Sequence, residues 1–247
     1  MRWTNFGMGR ARRTRHLQTW LVGAACLWGL SGVGSVATAA EAAVLAPAPE
    51  VAWRGFVRQF ALDHFRQPAW GYSHSQRDYQ LARELAATDG VSLDDDVLYA
   101  AAYLHDMAAF PPWEKPDADH ADVAAGIVDS VLKGSGFPMV KIEAVRGAIR
   151  THMFDRDPVG AEALYLHDAD ALDWLGAIGV ARIIALADPN GGKPTVPQVV
   201  PMLQDNLDKV PARVLSPAGR ARVGERREEL EKFLSALKRE SAELQAL

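Results

Sequence analysis

The sequence contains one cysteine, Cys26, in 247 residues. That excludes an intramolecular disulfide framework and a Cys-rich zinc module. It has no basic excess: 31 acidic side chains face 27 basic ones, a formal net charge of −4. A nucleic-acid partner of the usual basic-patch kind is therefore not expected. Strand signals are nearly absent, because no run alternates for long among β-branched residues. There is no internal repeat. What is present, 49% hydrophobic and 23% charged residues, is the balance of a globular chain of one domain or two small ones.

Carboxylates are also missing from the first 40 residues. Arg2, Arg10, Arg12, Arg13 and Arg15 precede the apolar stretch TWLVGAACLWGLSGVGSVATAA, in which Ala37-Thr38-Ala39 suits small-residue cleavage. This predicts a cleavable signal peptide over 1–39 and a periplasmic or secreted bacterial protein. The apolar core is short and glycine-rich for a retained anchor, so no membrane span is expected after processing. The Arg12-Arg13 pair is similar to a twin-arginine export signal, without its continuation. Cleavage would remove Cys26 together with five arginines, leaving a more acidic, cysteine-free chain suited to an oxidising compartment. Residues 40–50, rich in Ala and Pro, read as a flexible lead-in.

From residue 51 the apolar spacing is helical. It predicts helices near 51–66, 74–88, 94–108, 119–133, 138–152, 159–187 (the last with a break), 195–207 and 218–245. Breakers fall between them: Pro68; Pro111, Pro112 and Pro116; Gly134, Gly136 and Pro138; Pro158 and Gly160; and the run from Ala187 to Pro197. The expected fold is all-α, with a helical bundle over 51–187 and a C-terminal helical extension over 188–247 packed on it. In the last helix Val223, Leu230, Leu237 and Leu244 recur every seven residues. The stripe reads as a surface helix docked on the bundle, with a homodimer through a coiled coil as the alternative.

Polar residues with metal-binding chemistry interrupt these apolar faces. His74 shares a face with Leu81 and Leu85. His105 and Asp106 close the apolar helix VLYAAAYLHDMAAF. His120 opens HADVAAGIVDSVL, His152 ends VRGAIRTH, and Asp170 lies within LHDADALDWLGAIGVARI. Side chains on an apolar face point inward. An unpaired buried carboxylate costs several kcal/mol. A cation among Asp106, Asp170 and the imidazoles would offset that cost. Imidazole nitrogen with carboxylate oxygen suits Mn, Fe, Co, Ni or Zn.

This pattern resembles the HD-domain superfamily of metal-dependent phosphohydrolases. The resemblance rests on His74 in HSQR, the adjacent pair His105-Asp106, and the segment DADALDWLGAIGVAR from Asp168 to Arg182, which is similar to the final motif of one bacterial branch. It covers roughly Val51 to Ala187. It implies that His74, His105, Asp106 and Asp170 hold one divalent metal, with Asp168 as the alternative final ligand. His120 and His152 sit where family members with two metals carry extra histidines. They imply either a second ion, bridged to the first by the carboxylate of the pair, or contacts to the phosphate or the attacking water, one of them serving as general acid.

The implied activity is hydrolysis of a small phosphomonoester, nucleotide or phosphodiester by metal-activated water, with manganese among the fitting ions. Arg77 and Lys115 are candidates for phosphate binding, Arg77 against a reading as an exterior salt bridge and Lys115 against a reading as a solvated charge. Trp113 reads as packing rather than base stacking, and His167 as partly exposed or supporting. Asp173 and Arg182 read as buried structural partners. Two alternatives stand beside the hydrolase. One is a hydratase of a small nitrile such as cyanamide, whose early motif is similar to SHS-R. The other is a non-catalytic helical binding module stabilised by metal.

Overall fold

Where the sequence places a capping side chain, a helix begins. In the computed structural model, which describes residues 51–247, nine α-helices are joined by short connections. They are α1 (Ala52–His64), α2 (Tyr72–Thr88), α3 (Asp95–Leu104), α4 (His120–Leu132), α5 (Ile142–Arg150), α6 (Ala161–Asp173), α7 (Gly176–Ile184), α8 (Val196–Lys209) and α9 (Pro217–Glu240). Short 3₁₀ turns occur at Met107–Ala109, Met139–Lys141 and Pro211–Arg213. Among the described residues there is no strand and no helix long and apolar enough to cross a membrane. The predicted signal peptide and lead-in lie outside the described residues.

Asp94 accepts from the amides of Asp96 and Val97 to start α3, and Asp119 from those of Ala121 and Asp122 to start α4. Thr195 and Gln198 form a reciprocal capping box at α8, and Ser216 accepts from Gly219 N at α9. Each such cap is worth about 1 kcal/mol. The expected long helix over 159–187 breaks at Trp174–Leu175. Gly176 takes φ +64°, which a side chain would strain, and a Cβ on Gly179 would overlap the Trp174 carbonyl.

Helix α6 is the central element. Every residue from Tyr165 to Asp173 is buried, with α2, α3, α5 and α9 packed around it. Helix α3 is nearly as enclosed, and Val97 through Leu104 are all buried. Leu98, Leu104, Leu166 and Leu172 are fully enclosed, each contributing about 1.5–3 kcal/mol by burial. Helix α9 lays Leu230 and Leu234 into the same core, with Val223 and Leu237 packed against it. The entry to α9 is tied down twice. Asp168 accepts from the amides of Leu215 and Ser216, while Asp89 accepts from Ala218 N and from Tyr165 Oη.

Two predicted helices end short for one reason. The helix expected over 94–108 stops at Leu104, and that expected over 138–152 stops at Arg150. In both cases a histidine closes the end with its own ring. His105 Nδ1 lies 2.8 Å from Ala102 O, and His152 Nδ1 lies 2.6 Å from Ile149 O. Both rings bond carbonyls of the last helical turn, where Ile149 O also takes the Thr151 and His152 amides.

Candidate metal centre

Five segments deliver donors to one buried place. Helix α2 contributes His74 and Asp78, one turn apart on one face. The end of α3 contributes His105 and Asp106, the start of α4 His120, the end of α5 His152, and α6 Asp170. His74 Nε2 lies 3.3 Å from His105 Nε2, 3.3 Å from Asp170 Oδ1, 3.6 Å from Asp106 Oδ2 and 3.1 Å from Asp78 Oδ2. His105 Nε2 is 3.3 Å from Asp106 Oδ2. The other oxygen of Asp106 turns the opposite way, 3.2 Å from His120 Nε2 and 3.6 Å from His152 Nε2. His74, His105, His152, Asp78 and Asp170 are 0–2% exposed. The His120 side chain is 28% exposed.

The rings are aimed by what holds their far nitrogens. His105 and His152 donate from Nδ1 to backbone carbonyls, as above. His74 donates from Nδ1 to Asp173 Oδ2 at 2.8 Å. Asp173 is itself held by Arg77, with contacts of 2.8–3.2 Å, and by Arg182 Nη1 at 3.1 Å. Arg182 stacks 3.5 Å from the Trp174 ring centroid and donates from Nε to Ala69 O. With a proton fixed on each Nδ1, the neutral rings present Nε2 lone pairs to one another and to carboxylate oxygens. Only protons or a cation make that arrangement favourable.

The acid–base balance reflects this crowding. Burial alone would lower His74 and His105. For His74 the carboxylates Asp170 and Asp173 outweigh burial, and for His105 chiefly Asp106, so both imidazoles are pushed above their ordinary range. Burial, then Asp173 and Asp170, pushes Asp78 well up. Asp106 is held well down against burial by His105, His120 and His152. Asp170 is lowered, against burial, chiefly by His74. His152 is pushed down by burial.

The donor set fits a divalent transition ion. The donor atoms of His74, Asp78, His105 and Asp170 all lie within 4.8 Å of one another, and those of His105, Asp106 and His152 do likewise. Two orphaned polar groups support the fit. Neither oxygen of Asp78, nor Nε2 of His152, has a hydrogen-bond partner among the described residues.

The structure thus brings together His74, His105, Asp106, Asp170, His120 and His152. Among the other readings it corrects those of Asp168 and His167, finds Arg77 in a salt bridge and adds Asp78. Asp168 is not an alternative to Asp170. Two positions along α6 rotate it by about 200°, onto the Leu215 and Ser216 amides. Arg77 does not stand free for phosphate, because its guanidinium is engaged with Asp173. His167 is fully buried rather than partly exposed, and its Nδ1 lies 3.0 Å from Asp168 Oδ1. Asp78 belongs to the cluster, although the sequence reading passed over it. Lys115 lies exposed on the connection between α3 and α4. Trp113 packs against Phe60 and His64, with ring centroids at 5.2 and 5.1 Å.

Residues 71–175 match the HD-domain family model. They form an HD domain. The matched span begins at the glycine before α2 and ends at the α6–α7 break, so it contains every cluster donor named above. Solved structures repeat the fold. A Lactobacillus plantarum protein is 23% identical, with a TM-score of 0.55 over 77% of this chain and 97% of its own. A predicted HD superfamily hydrolase from an uncultured Thermotogales bacterium is 24% identical, with a TM-score of 0.53 over 76% of this chain and 90% of its own. Bacillus subtilis YpgQ, crystallised in complex with ADP, is 19% identical, with a TM-score of 0.57 over 76% of this chain and 97% of its own. No curated protein matches the sequence. The likeness to these solved structures is one of fold, and the His/Asp cluster is the feature of this chain that can hold a metal.

Proposed function

We propose that this HD protein is a divalent-metal-dependent phosphohydrolase acting on a small phosphomonoester, nucleotide or phosphodiester. The observation that carries the reading is Asp106, one oxygen facing His74 and His105 and the other facing His120 and His152. A carboxylate so placed would serve an ion on its first side and leave its other oxygen for a second ion or a substrate. His74, His105, Asp106 and Asp170 would hold the first ion. When bound, the ion supplies an activated water and positive charge for the phosphoryl oxygens.

The residues divide the remaining work. Asp173, clamped by Arg77 and Arg182, keeps the His74 ring turned so that Nε2 faces the centre. The Ala102 and Ile149 carbonyls do the same for His105 and His152. His120 is the site histidine reached by solvent, which suits it to hand a proton from Nε2 to a departing alkoxide. His152 is buried with Nδ1 engaged, which suits it to accept or ligate rather than to shuttle. The ADP in YpgQ makes nucleotides a natural part of the substrate panel.

The test is metal-dependent turnover. Chelator-stripped protein is resupplied with Mn, Co, Ni or Zn and offered p-nitrophenyl phosphate, bis(p-nitrophenyl) phosphate and nucleoside mono-, di- and triphosphates. The reading expects activity restored by metal and lost in His105→Ala at unchanged helix content. A folded, metal-loaded protein that turns over none of these, or that hydrates cyanamide instead, refutes it. The export reading is a separate proposal. It expects a mature N-terminus near Ala40 in an extracytoplasmic fraction, and intact Met1 in the cytosol would end it.

A further inference from the structure

The geometry points to Asp78 as a fifth protein ligand of the ion at His74, His105, Asp106 and Asp170, one that biases the centre toward six-coordinate metals and away from tetrahedral zinc. This rests on the metal-dependent reading of the same site.

Three observations carry it. First, Asp78 is 0% exposed and neither of its oxygens has a hydrogen-bond partner among the described residues. A buried, unsatisfied carboxylate is rare and calls for a counter-charge. Second, no nearby arginine makes a hydrogen bond to it, although the charge of Arg182 acts on it from a distance. The hydrogen bonds of Arg77 go to Asp173, and Arg182 is engaged with Asp173, Trp174 and Ala69. What Asp78 Oδ2 faces is His74 Nε2 at 3.1 Å and His105 Nε2 at 3.8 Å.

Third, more donors crowd His74 than a tetrahedral site holds. With metal–ligand bonds of about 2.1 Å, adjacent octahedral donors lie about 3.0 Å apart and opposite donors about 4.2 Å. His74 Nε2 has four donor neighbours: Asp78 Oδ2 at 3.1 Å, Asp170 Oδ1 at 3.3 Å, His105 Nε2 at 3.3 Å and Asp106 Oδ2 at 3.6 Å. One donor has four others beside it, although the 3.8 Å between His105 Nε2 and Asp78 Oδ2 is wider than an adjacent octahedral edge. A tetrahedral sphere has no place for the fifth. Two imidazoles with three carboxylates make a hard, oxygen-rich set, and one position of six is left for water or a substrate oxygen.

The experiment reads metal binding without substrate. Chelator-stripped wild type, Asp78→Asn and Asp78→Ala are checked for helix content by circular dichroism. Each is then titrated with Mn²⁺ and Zn²⁺ by calorimetry and with Co²⁺ by visible absorption. Wild-type Co²⁺ protein should show the weak bands of five- or six-coordinate cobalt. Both variants should lose Mn²⁺ affinity by at least the 10–100-fold typical of disturbing a ligand's support, and should lose less for Zn²⁺. Intense tetrahedral bands in the wild type, or unchanged Mn²⁺ affinity and Co²⁺ spectrum in Asp78→Asn, would overturn the assignment. The two readings fail separately. Five-ligand binding without turnover sinks the hydrolase and keeps Asp78 as a ligand. Turnover with an indifferent Asp78→Asn does the reverse.

Discussion

Asp168 and Asp170 are two residues apart and the same in chemistry, yet the structure assigns them opposite consequences on mutation. Asp168→Ala removes the acceptor of Leu215 N at 2.9 Å, of Ser216 N at 2.6 Å, and of His167 Nδ1 at 3.0 Å. Hydrogen bonds to a charged group contribute about 1.5–3 kcal/mol each, and a buried donor left unpaired costs a similar amount. Some of this is recovered as the 214–216 turn relaxes into water, so the expected net loss is about 3–5 kcal/mol, in line with breaking a buried charged contact. For a fold of this size each kcal/mol moves Tm by about 2–4 °C, which predicts a drop of about 6–20 °C. Metal content per folded molecule at saturating metal should not change. Asp170→Ala should do the opposite, losing metal while altering Tm in chelator less, above all at alkaline pH, where His74 is uncharged and Asp170 is one acceptor in a crowd of acceptors. The assays are thermal and urea unfolding in chelator, with metal content by elemental analysis. An Asp168→Ala protein that melts like the wild type but has lost its metal would refute the reasoning.

Other outcomes follow from the same geometry. Asp173→Asn removes the charge that holds the His74 ring and should weaken metal binding about 10–100-fold with a smaller effect on helix content, read by calorimetry and circular dichroism. Gly179→Ala forces a Cβ onto the Trp174 carbonyl and should cost about 1–3 kcal/mol by overpacking, read by urea unfolding. In chelator, His74 and His105 have folded pKa values above the ordinary 6.5. Their contribution to stability is complete below about pH 6.5 and is lost as pH rises through the folded values. Asp78, raised by burial, has the same sign. The chelated protein should therefore lose Tm on the alkaline side, and saturating Mn²⁺ should remove that loss. A chelated protein with flat Tm from pH 6 to 9 would contradict the shifts.

Much of this was visible in the sequence because helix faces are periodic. His74 with Leu81 and Leu85, or His152 with Val145 and Ile149, share a face in any helix. The structure places those histidines inward. The same rule covers Asp78, which lies one turn from His74 on the face that Leu81 and Leu85 define. It was passed over because it stands beside Arg77, whose charge fits a surface ion pair as readily as a site. Asp168 was illegible for a different reason. Helix α6 is buried on all sides, so apolar residues flank every position and periodicity carries no direction. Only the contact with residues 215 and 216, 47 and 48 positions away, tells which way that carboxylate points. The α6–α7 break was expected, but its position depends on Gly176 meeting Arg226 and Glu229 of α9, again a distant contact.

Helix α6 works as a shared wall. On one side Asp170 and Asp173 face the centre, and on the other Asp168 grips the chain that leads into α9. Where a ligand on the first side tightens the second, reciprocity requires release of the C-terminal segment to weaken that ligand by the same factor. Susceptibility to a protease acting between residues 210 and 217 thus becomes a reporter of occupancy some distance from the cut. Removal of α9 should be felt as a loss of affinity rather than as the trimming of an appendage.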